Sequence, residues 1–522
     1  MAPPSAALKG TPLMALLTSA LSTGFLLFGY DQGVMSGVIL SPSFLETMGS
    51  PSPLALGTLV SIYTFGAIFG SILSAFTSDK LGRKRTLIIG TSLVCIFGLG
   101  MSLSRDRIEF GIARTIVGIG IGYITSITPV YQSEVSRHEQ RGWQVCCQLT
   151  TMLVGLAMAY WVNYGFYFRP GEAQWRAPLA LQCLFAGYIL VVVPFLPDTP
   201  RWLLRNFSGE PERGREVLAR LRGKTEDDAE VSQEVDEILK AVAREVKAEG
   251  TWGDLLRENG VMANKRFALA VGIQFMQQMT GINIVTYYAP TLYKTGLGMS
   301  EEQALLLGGY TQLWYVLASF VTWYTIDRVG RRILFISMAL GMCAVLVGEG
   351  LATASGTHFG SLVAVVCLFL FEGCFTWGWM ACVWIYPPEI LPLGIRAKGS
   401  ALAAAADFIG NWVVVQVTPV GIANMGWKFY LVWAAFNFVN AIAVWLFYPE
   451  TGGLMLEAVD HVFADRDGDQ IETPDGNGLI DKLQWSKVRV AAEAVKRAKA
   501  PDRGLGRDTE SEPLLGSGGT NL

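Results

Sequence analysis

The chain has 522 residues, 51% of them hydrophobic and only 16% charged. A soluble chain of this size carries nearer ~25% charged residues, and a net charge of −3 leaves no basic surface for a nucleic acid. Three scattered histidines (His138, His358, His461) and eight cysteines, all in apolar stretches (Cys95, Cys146, Cys147, Cys183, Cys343, Cys367, Cys374, Cys382), argue against a metal cluster and a disulfide framework. No metal or cofactor is expected.

Twelve apolar windows approach the ~20 residues that a bilayer crossing needs. They are 13–38, 54–77, 86–104, 109–131, 145–167, 177–196, 267–289, 303–326, 332–352, 360–386, 398–421 and 427–448. The first is read as a span and not as a cleaved signal, because it carries Gly29-Tyr30-Asp31-Gln32-Gly33 and runs on into the fold. Basic residues gather in alternate loops: 80–85, Arg137 with Arg141, 200–265, 328–332, and Arg396 with Lys398. The other loops are mostly poorer, although Arg105 and Arg107 follow span three. The positive-inside bias puts the basic loops and both termini in the cytoplasm. The sequon Asn206-Phe207-Ser208 should then stay unglycosylated.

The chain repeats itself. Asp79-x-x-Gly82-Arg83-Lys84 recurs as Asp327-x-x-Gly330-Arg331-Arg332, Glu134 with Arg141 as Glu389 with Arg396, and Pro197-Asp198-Thr199 as Pro449-Glu450-Thr451, each roughly 250 residues on. Three motifs in one order at nearly one offset imply two six-span halves with a site near the midplane between them. The expected organisation is an N-terminal six-helix bundle over 1–199, cytoplasmic linker helices over 200–265, a C-terminal six-helix bundle over 266–450 and a cytoplasmic, largely disordered tail over 451–522. In the linker, Val217, Leu218, Leu221, Val235, Ile238, Leu239 and Val242 recur at helical spacing among charges. In the tail, residues 465–469 resemble a calcium loop, but the glycine sits at the fourth position and no glutamate at the twelfth. The acidic dileucine pattern at Leu514-Leu515 reads as a chance match.

Two constellations carry chemistry. In span seven, Gln277, Gln278, Asn283, Tyr287 and Tyr288 fall within twelve residues. A buried polar group left unpaired costs about 1–3 kcal/mol, so such a cluster suits a water-filled cavity better than interhelical packing. Amides both donate and accept, as the hydroxyls of a sugar do. Gly281 allows the helix to break there. In the first half, Asp31 in span one and Arg114 in span four are ionisable groups at membrane depth, where each costs roughly 2.5–3.5 kcal/mol and marks a functional position.

These motifs, with Pro129-Val130-Tyr131-x-x-Glu134 and Pro197-Asp198-Thr199-Pro200-Arg201-Trp202, make the chain resemble the sugar porter branch of the major facilitator superfamily, of the fungal hexose-transporter type, over about 20–457. The resemblance implies an all-α membrane protein with twelve transmembrane helices in two six-helix bundles. It implies substrate binding by Gln277, Gln278 and Asn283, with Tyr287 and Tyr288 closing from outside and Trp384 stacking on the sugar ring. It implies proton coupling through Asp31 and Arg114, and gating ion pairs among Glu134, Arg141, Arg83, Glu389, Arg396 and Arg331.

The chain departs from that pattern. The span-five glutamine position holds Leu149, with Gln148 one residue early, which is ~100° of helix rotation. The span-eight asparagine position is Tyr315, and the span-eleven Asn-Trp pair is Asp407-Phe408, with Asn411 nearby. Ala381 and Val383 replace the prolines before Trp384. Glu372 and Asp407 are further acids without an evident base. The expected function is monosaccharide:proton symport, of a hexose, across the plasma membrane by a monomer. Facilitative uniport, a polyol, pentose or disaccharide porter, and a non-transporting sugar sensor remain as alternatives. No catalytic constellation points to an enzyme.

Overall fold

The computed structural model describes residues 8–136, 141–206, 211–248, 251–257, 262–392, 394–452 and 463, with the backbone alone for 141–146, 244–248, 327 and 397. The Arg141 side chain, Arg137, the sequon's Phe207 and Ser208, and the tail motifs lie outside the described residues. Among the described residues the chain is all-α. The first group of helices is α1 (Thr11–Val38), α2 (Pro42–Thr47), α3 (Pro53–Leu81), α4 (Arg83–Leu103), α5 (Arg107–Val135), α6 (Arg141–Tyr167) and α7 (Ala173–Val192). Three shorter helices follow: α8 (Pro200–Asn206), α9 (Pro211–Arg222) and α10 (Ala229–Ala248). The second group is α11 (Ala263–Gln278), α12 (Ile282–Gly296), α13 (Glu301–Val329), α14 (Arg331–Ala354), α15 (His358–Phe375), α16 (Cys382–Ile390), α17 (Arg396–Met425) and α18 (Lys428–Phe447).

Ten stretches are long and apolar enough to cross a membrane. The long α6 and the interrupted pair α11–α12 complete two bundles of six. Helix α3 shows how polarity is arranged. Phe65, Phe69, Leu73 and Phe76 are exposed along one face, while Tyr63, Ala67, Gly70 and Ser74 are buried on the other. A continuous apolar stripe on the outside suits lipid and not water.

Each bundle has its own apolar core, and the two interlock. Tyr287, Tyr288, Phe408 and Val415 of the second half join the core of the first. Phe25, Leu149, Leu153, Leu156 and Tyr160 of the first half join the core of the second. Hydrogen bonds also cross between halves. Gln416 on α17 accepts from Ser61 Oγ at 2.7 Å and donates to Thr58 Oγ1 at 3.1 Å, both on α3. Thr150 on α6 meets Ser319 on α13 at 3.0 Å.

Helices α8–α10 occupy the stretch between the two groups. Leu204, Leu218, Ala219, Val231 and Val235 bury a small core of their own. Arg222 grips Glu234 with two bonds of 2.9 and 2.5 Å and donates to the Val135 carbonyl at 3.1 Å, which ties the linker to the end of α5.

Two spans of the second half are irregular. Span seven breaks between α11 and α12 at Met279–Gly281, where Gly281 adopts φ +89°. A Cβ there would also meet the Trp433 ring at 3.2 Å. The freed backbone is satisfied from α18: Asn437 donates to the Thr280 carbonyl at 2.9 Å and Asn440 to the Met276 carbonyl at 3.0 Å. Span ten carries a π-helical turn, Thr376–Met380, between α15 and α16. Such turns cluster at functional sites. Here Thr322 Oγ1 donates to the Thr376 carbonyl at 2.8 Å, and Gln277 Nε2 to the Trp379 carbonyl at 3.4 Å.

Replacing Asn437 with leucine leaves the Thr280 carbonyl in a dry interior, at a cost of about 1–3 kcal/mol. The purified variant should melt a few degrees below the parent in a thermal scan. An unchanged melting temperature would show that the break holds itself.

Candidate functional site

Both irregular spans border one small cavity between the halves, of about 60 Å3. That is room for about two waters, so the walls are closed around the site. The first half supplies Phe28 and Gln32 from α1 and Leu149, Met152, Leu153 and Leu156 from α6. The second half supplies Gln277 and Gln278 from α11, Asn283 and Thr286 from α12, Tyr315 from α13, Trp384 from α16, and Asp407, Phe408 and Asn411 from α17. One wall is therefore nearly apolar and the other is lined with amides.

The helix break explains the amide wall. It turns Asn283 back toward Gln278, so that two residues five apart in sequence bond through their side chains, Asn283 Nδ2 donating to Gln278 Oε1. Gln278 Nε2 in turn donates to Asp407 Oδ1 at 2.6 Å. The Trp384 indole faces the same space, beyond the π-helical turn.

Gln277, Gln278, Asn283, Trp384 and Asn411 thus come together. Gln148 does not join them. It is buried, its Nε2 has no partner, and Leu149 stands in the wall in its place. Tyr287 and Tyr288 are buried beside the first half: Tyr287 Oη donates to Tyr63 Oη at 3.1 Å and Tyr288 Oη to the Val415 carbonyl at 3.1 Å. Gln32 was not singled out from the sequence, although a second polar residue beside Asp31 in an apolar helix was the available signal. Asn437 and Asn440 were also missed; two amides three apart in an apolar helix mark them.

Asp31 and Arg114 are fully buried in the first half, away from the cavity lining, and make one contact of 3.3 Å. Asp31 Oδ2, Arg114 Nε and Arg114 Nη2 are buried without hydrogen-bond partners. The Arg114 guanidinium lies over the Tyr63 ring, 4.9 Å from its centroid. A buried pair needs good geometry and further bonds to offset desolvation. This pair is held by one bond of 3.3 Å.

The ends that carry the basic loops are built otherwise, and twice over. Arg83 grips Glu134 with bonds of 2.9 and 2.8 Å, and Thr199 Oγ1 donates to the same carboxylate at 2.5 Å. In the second half Arg331 meets Glu389 at 3.2 Å, and Thr451 Oγ1 donates to Glu389 at 2.6 Å. Asp198 accepts from the Arg83 and Lys84 backbone N–H groups at the start of α4, and Glu450 from those of Arg331 and Arg332 at the start of α14. A carboxylate at a helix N-terminus is a favourable cap. Gly82 and Gly330, at φ +89° and +94°, leave room for it. Burial pushes the Asp198 carboxyl above its ordinary range, opposed by those N–H groups and that of Thr199. Arg396 Nε donates to the Leu391 carbonyl at 3.1 Å. These ion pairs each lie within one half, so they brace each bundle's end.

The family described as Sugar (and other) transporter matches residues 16–463. The chain belongs to this sugar transporter family. It is 34% identical over 504 residues to the MFS-type transporter oryC of Aspergillus oryzae, covering 94% of this chain and 93% of that one. It is 32% identical over 509 residues to the sugar transporter STL1 of Saccharomyces cerevisiae, covering 94% and 88%. Among solved structures it resembles the proton:xylose symporter XylE bound to 6-bromo-6-deoxy-D-glucose, with TM-score 0.71, 26% identity, and coverage of 87% of this chain and 100% of that one. These relatives are named as transporters, not enzymes. The protein is a multi-pass membrane transporter of the sugar porter family.

Glu134→Ala leaves the largely buried Arg83 guanidinium with only the exposed Asp79 carboxylate, 3.5 Å away, a loss on the order of 3 kcal/mol. The variant should reach the membrane at reduced yield and melt lower, and Glu389→Ala should do the same in the second half. If both variants match the parent in yield and melting temperature, the braces are dispensable.

Proposed function

We propose that the protein carries a monosaccharide of the hexose class inward together with a proton, by alternating access, across the plasma membrane. It works as a monomer with both termini in the cytoplasm, as the placement of the basic loops supports. Its working parts are the bundles 1–199 and 266–450, the linker 200–265 and the tail 451–522.

The observation that carries the reading is a chain of contacts from a buried charge pair to the helix that closes the cavity. Asp31 meets Arg114, Arg114 lies over Tyr63, and Tyr63 Oη bonds Tyr287 Oη on α12. A driving ion must have different contacts in two states if it is to shift the equilibrium between them. Protonation of Asp31 removes the partner of Arg114. The guanidinium then turns more fully to Tyr63, and the Tyr63–Tyr287 contact between halves changes with it. Gln32, one residue from Asp31, reports the same event to the cavity.

The site residues are Gln277, Gln278, Asn283, Trp384 and Asn411 around the sugar, with Gln32 opposite. Tyr287 and Tyr288 close over it. Gln148 has a packing role in this reading, since Leu149 occupies the wall.

The test is uptake of labelled glucose in cells that lack hexose transport, at acidic and neutral pH, with and without an uncoupler. Symport requires faster, uncoupler-sensitive uptake at acidic pH. Uptake indifferent to both makes the protein a uniporter, and intact sugar signalling without any uptake makes it a sensor.

Two variants sharpen this. Asp31→Asn should lose accumulation against a gradient and keep exchange of internal for external sugar. Full accumulation by that variant overturns the coupling role. Tyr63→Phe keeps the ring over Arg114 and loses one buried hydrogen bond, about 0.5–1.5 kcal/mol or roughly three- to tenfold in an equilibrium. Its steady-state accumulation ratio should fall several-fold.

A further inference from the structure

Asp407 differs in kind from every other polar group around the cavity. A carboxylate only accepts hydrogen bonds, whereas an amide both donates and accepts. With Asp407 at the base, Gln278 must turn its Nε2 toward Asp407 Oδ1, and the 2.6 Å contact is short, as charge-assisted bonds are. That turn leaves Gln278 Oε1 to accept from Asn283 Nδ2. One N–H of each amide is then used inside the protein, and Asn283 Oδ1 and the second N–H of each remain. Gln277 follows the same pattern: its Nε2 donates to the Trp379 carbonyl, and its Oε1 is buried without a partner. Asn411 Oδ1 is likewise buried and unpartnered. The second-half wall therefore offers the unpartnered oxygens of Gln277 and Asn411 and an acid beside the donors that Trp384 and Tyr315 bring. An asparagine at 407 would let the ladder of amides run in either direction.

Charge points the same way. No lysine, arginine or histidine lines the cavity. Among the described residues Gln278 is the one hydrogen-bond partner of Asp407, and no cation forms a salt bridge with it. The Arg114 guanidinium is engaged with Asp31 in the first half. Asp407 is thus an acid in the wall of a binding cavity with no protein counter-charge.

We propose that Asp407 is the specificity-determining residue of this cavity. It orients the ladder Asp407–Gln278–Asn283, and it selects sugars carrying a protonated amine over sugars carrying a carboxylate. The inference rests on the sugar-porter reading above and names the substrate class within it. A neutral hexose fits by donating its hydroxyls. An amino sugar adds an ammonium that supplies the missing counter-charge. A uronic acid brings a second carboxyl group and no cation, and two carboxylates a few ångströms apart in a dry cavity repel strongly.

The test uses the full-length protein in lipid nanodiscs at neutral pH, where the amine is protonated and the uronate ionised. Binding of D-glucose, D-glucosamine and D-glucuronate is titrated by intrinsic tryptophan fluorescence. The parent should bind glucosamine at least tenfold more tightly than glucuronate. Asp407→Asn should bring that ratio within threefold, whatever its affinity for glucose. Asp407→Glu, which keeps the charge, should retain the preference. An Asp407→Asn variant that binds glucose with the parent's glucosamine-to-glucuronate ratio overturns this inference alone, as does loss of the preference in Asp407→Glu with glucose binding intact. Failure of the parent to bind any of the three sugars overturns the sugar-porter reading and this inference with it.

Discussion

A helix that stops inside a membrane must settle its own backbone hydrogen bonds, because no water is there to do so. The rest of the cavity depends on how span seven meets that demand. Asn437 and Asn440 take the Thr280 and Met276 carbonyls, and Gly281 supplies the left-handed turn. Only then can Asn283 fold back onto Gln278 and reach Asp407 through it. With an unbroken helix, residues 278 and 283 would lie on different faces, since five residues advance ~500°. The amide wall is therefore a consequence of two asparagines on another helix that never touch the cavity.

The same protein contains well-satisfied and poorly satisfied charges, and their distribution divides the labour. At the basic-loop ends, Glu134 has a two-pronged arginine and a threonine, and Asp198 caps a helix. The second half repeats the arrangement with Glu389, Thr451 and Glu450. Tyr131 and Tyr386 extend the parallel, donating to the carbonyls of Pro197 and Pro449. Groups so fully bonded make stiff ends that can move as rigid bodies. Asp31 and Arg114, with one 3.3 Å contact and three orphaned polar atoms, are the opposite. Protonating Asp31 would leave the fully buried Arg114 without its carboxylate, so in the proposed symport the pair gives the two protonation states different contacts.

How much of this was legible in the sequence follows from the range of each interaction. The polar run in span seven could be read because its residues are anomalous in an apolar helix wherever they point. Leu149 could be read because one residue is ~100° of rotation, and the structure puts Leu149 in the wall and Gln148 outside it. The repeated Pro197-Asp198-Thr199 and Pro449-Glu450-Thr451 were visible as repeats, but their capping roles were not, since they act on α4 and α14 more than 100 residues away. The π-helical turn in span ten left no local signal. It is set by tertiary fit: a Cβ at Gly378 would meet Met338 at 2.5 Å.

The two halves bring unlike chemistry to the same cavity. The first supplies an apolar wall and the buried ion pair, and the second supplies amides, an acid and an indole. In the proposed symport neither half couples a proton to a sugar alone, because Asp31 and Arg114 do not line the cavity. Coupling needs contacts that both partners bias. Two of the routes available are Tyr63–Tyr287 between the halves and Gln32 beside Asp31 on α1. The first acts on closure and the second on the bound solute. Under the proposed symport, linkage requires the sugar to favour protonation to the same degree that the proton favours sugar.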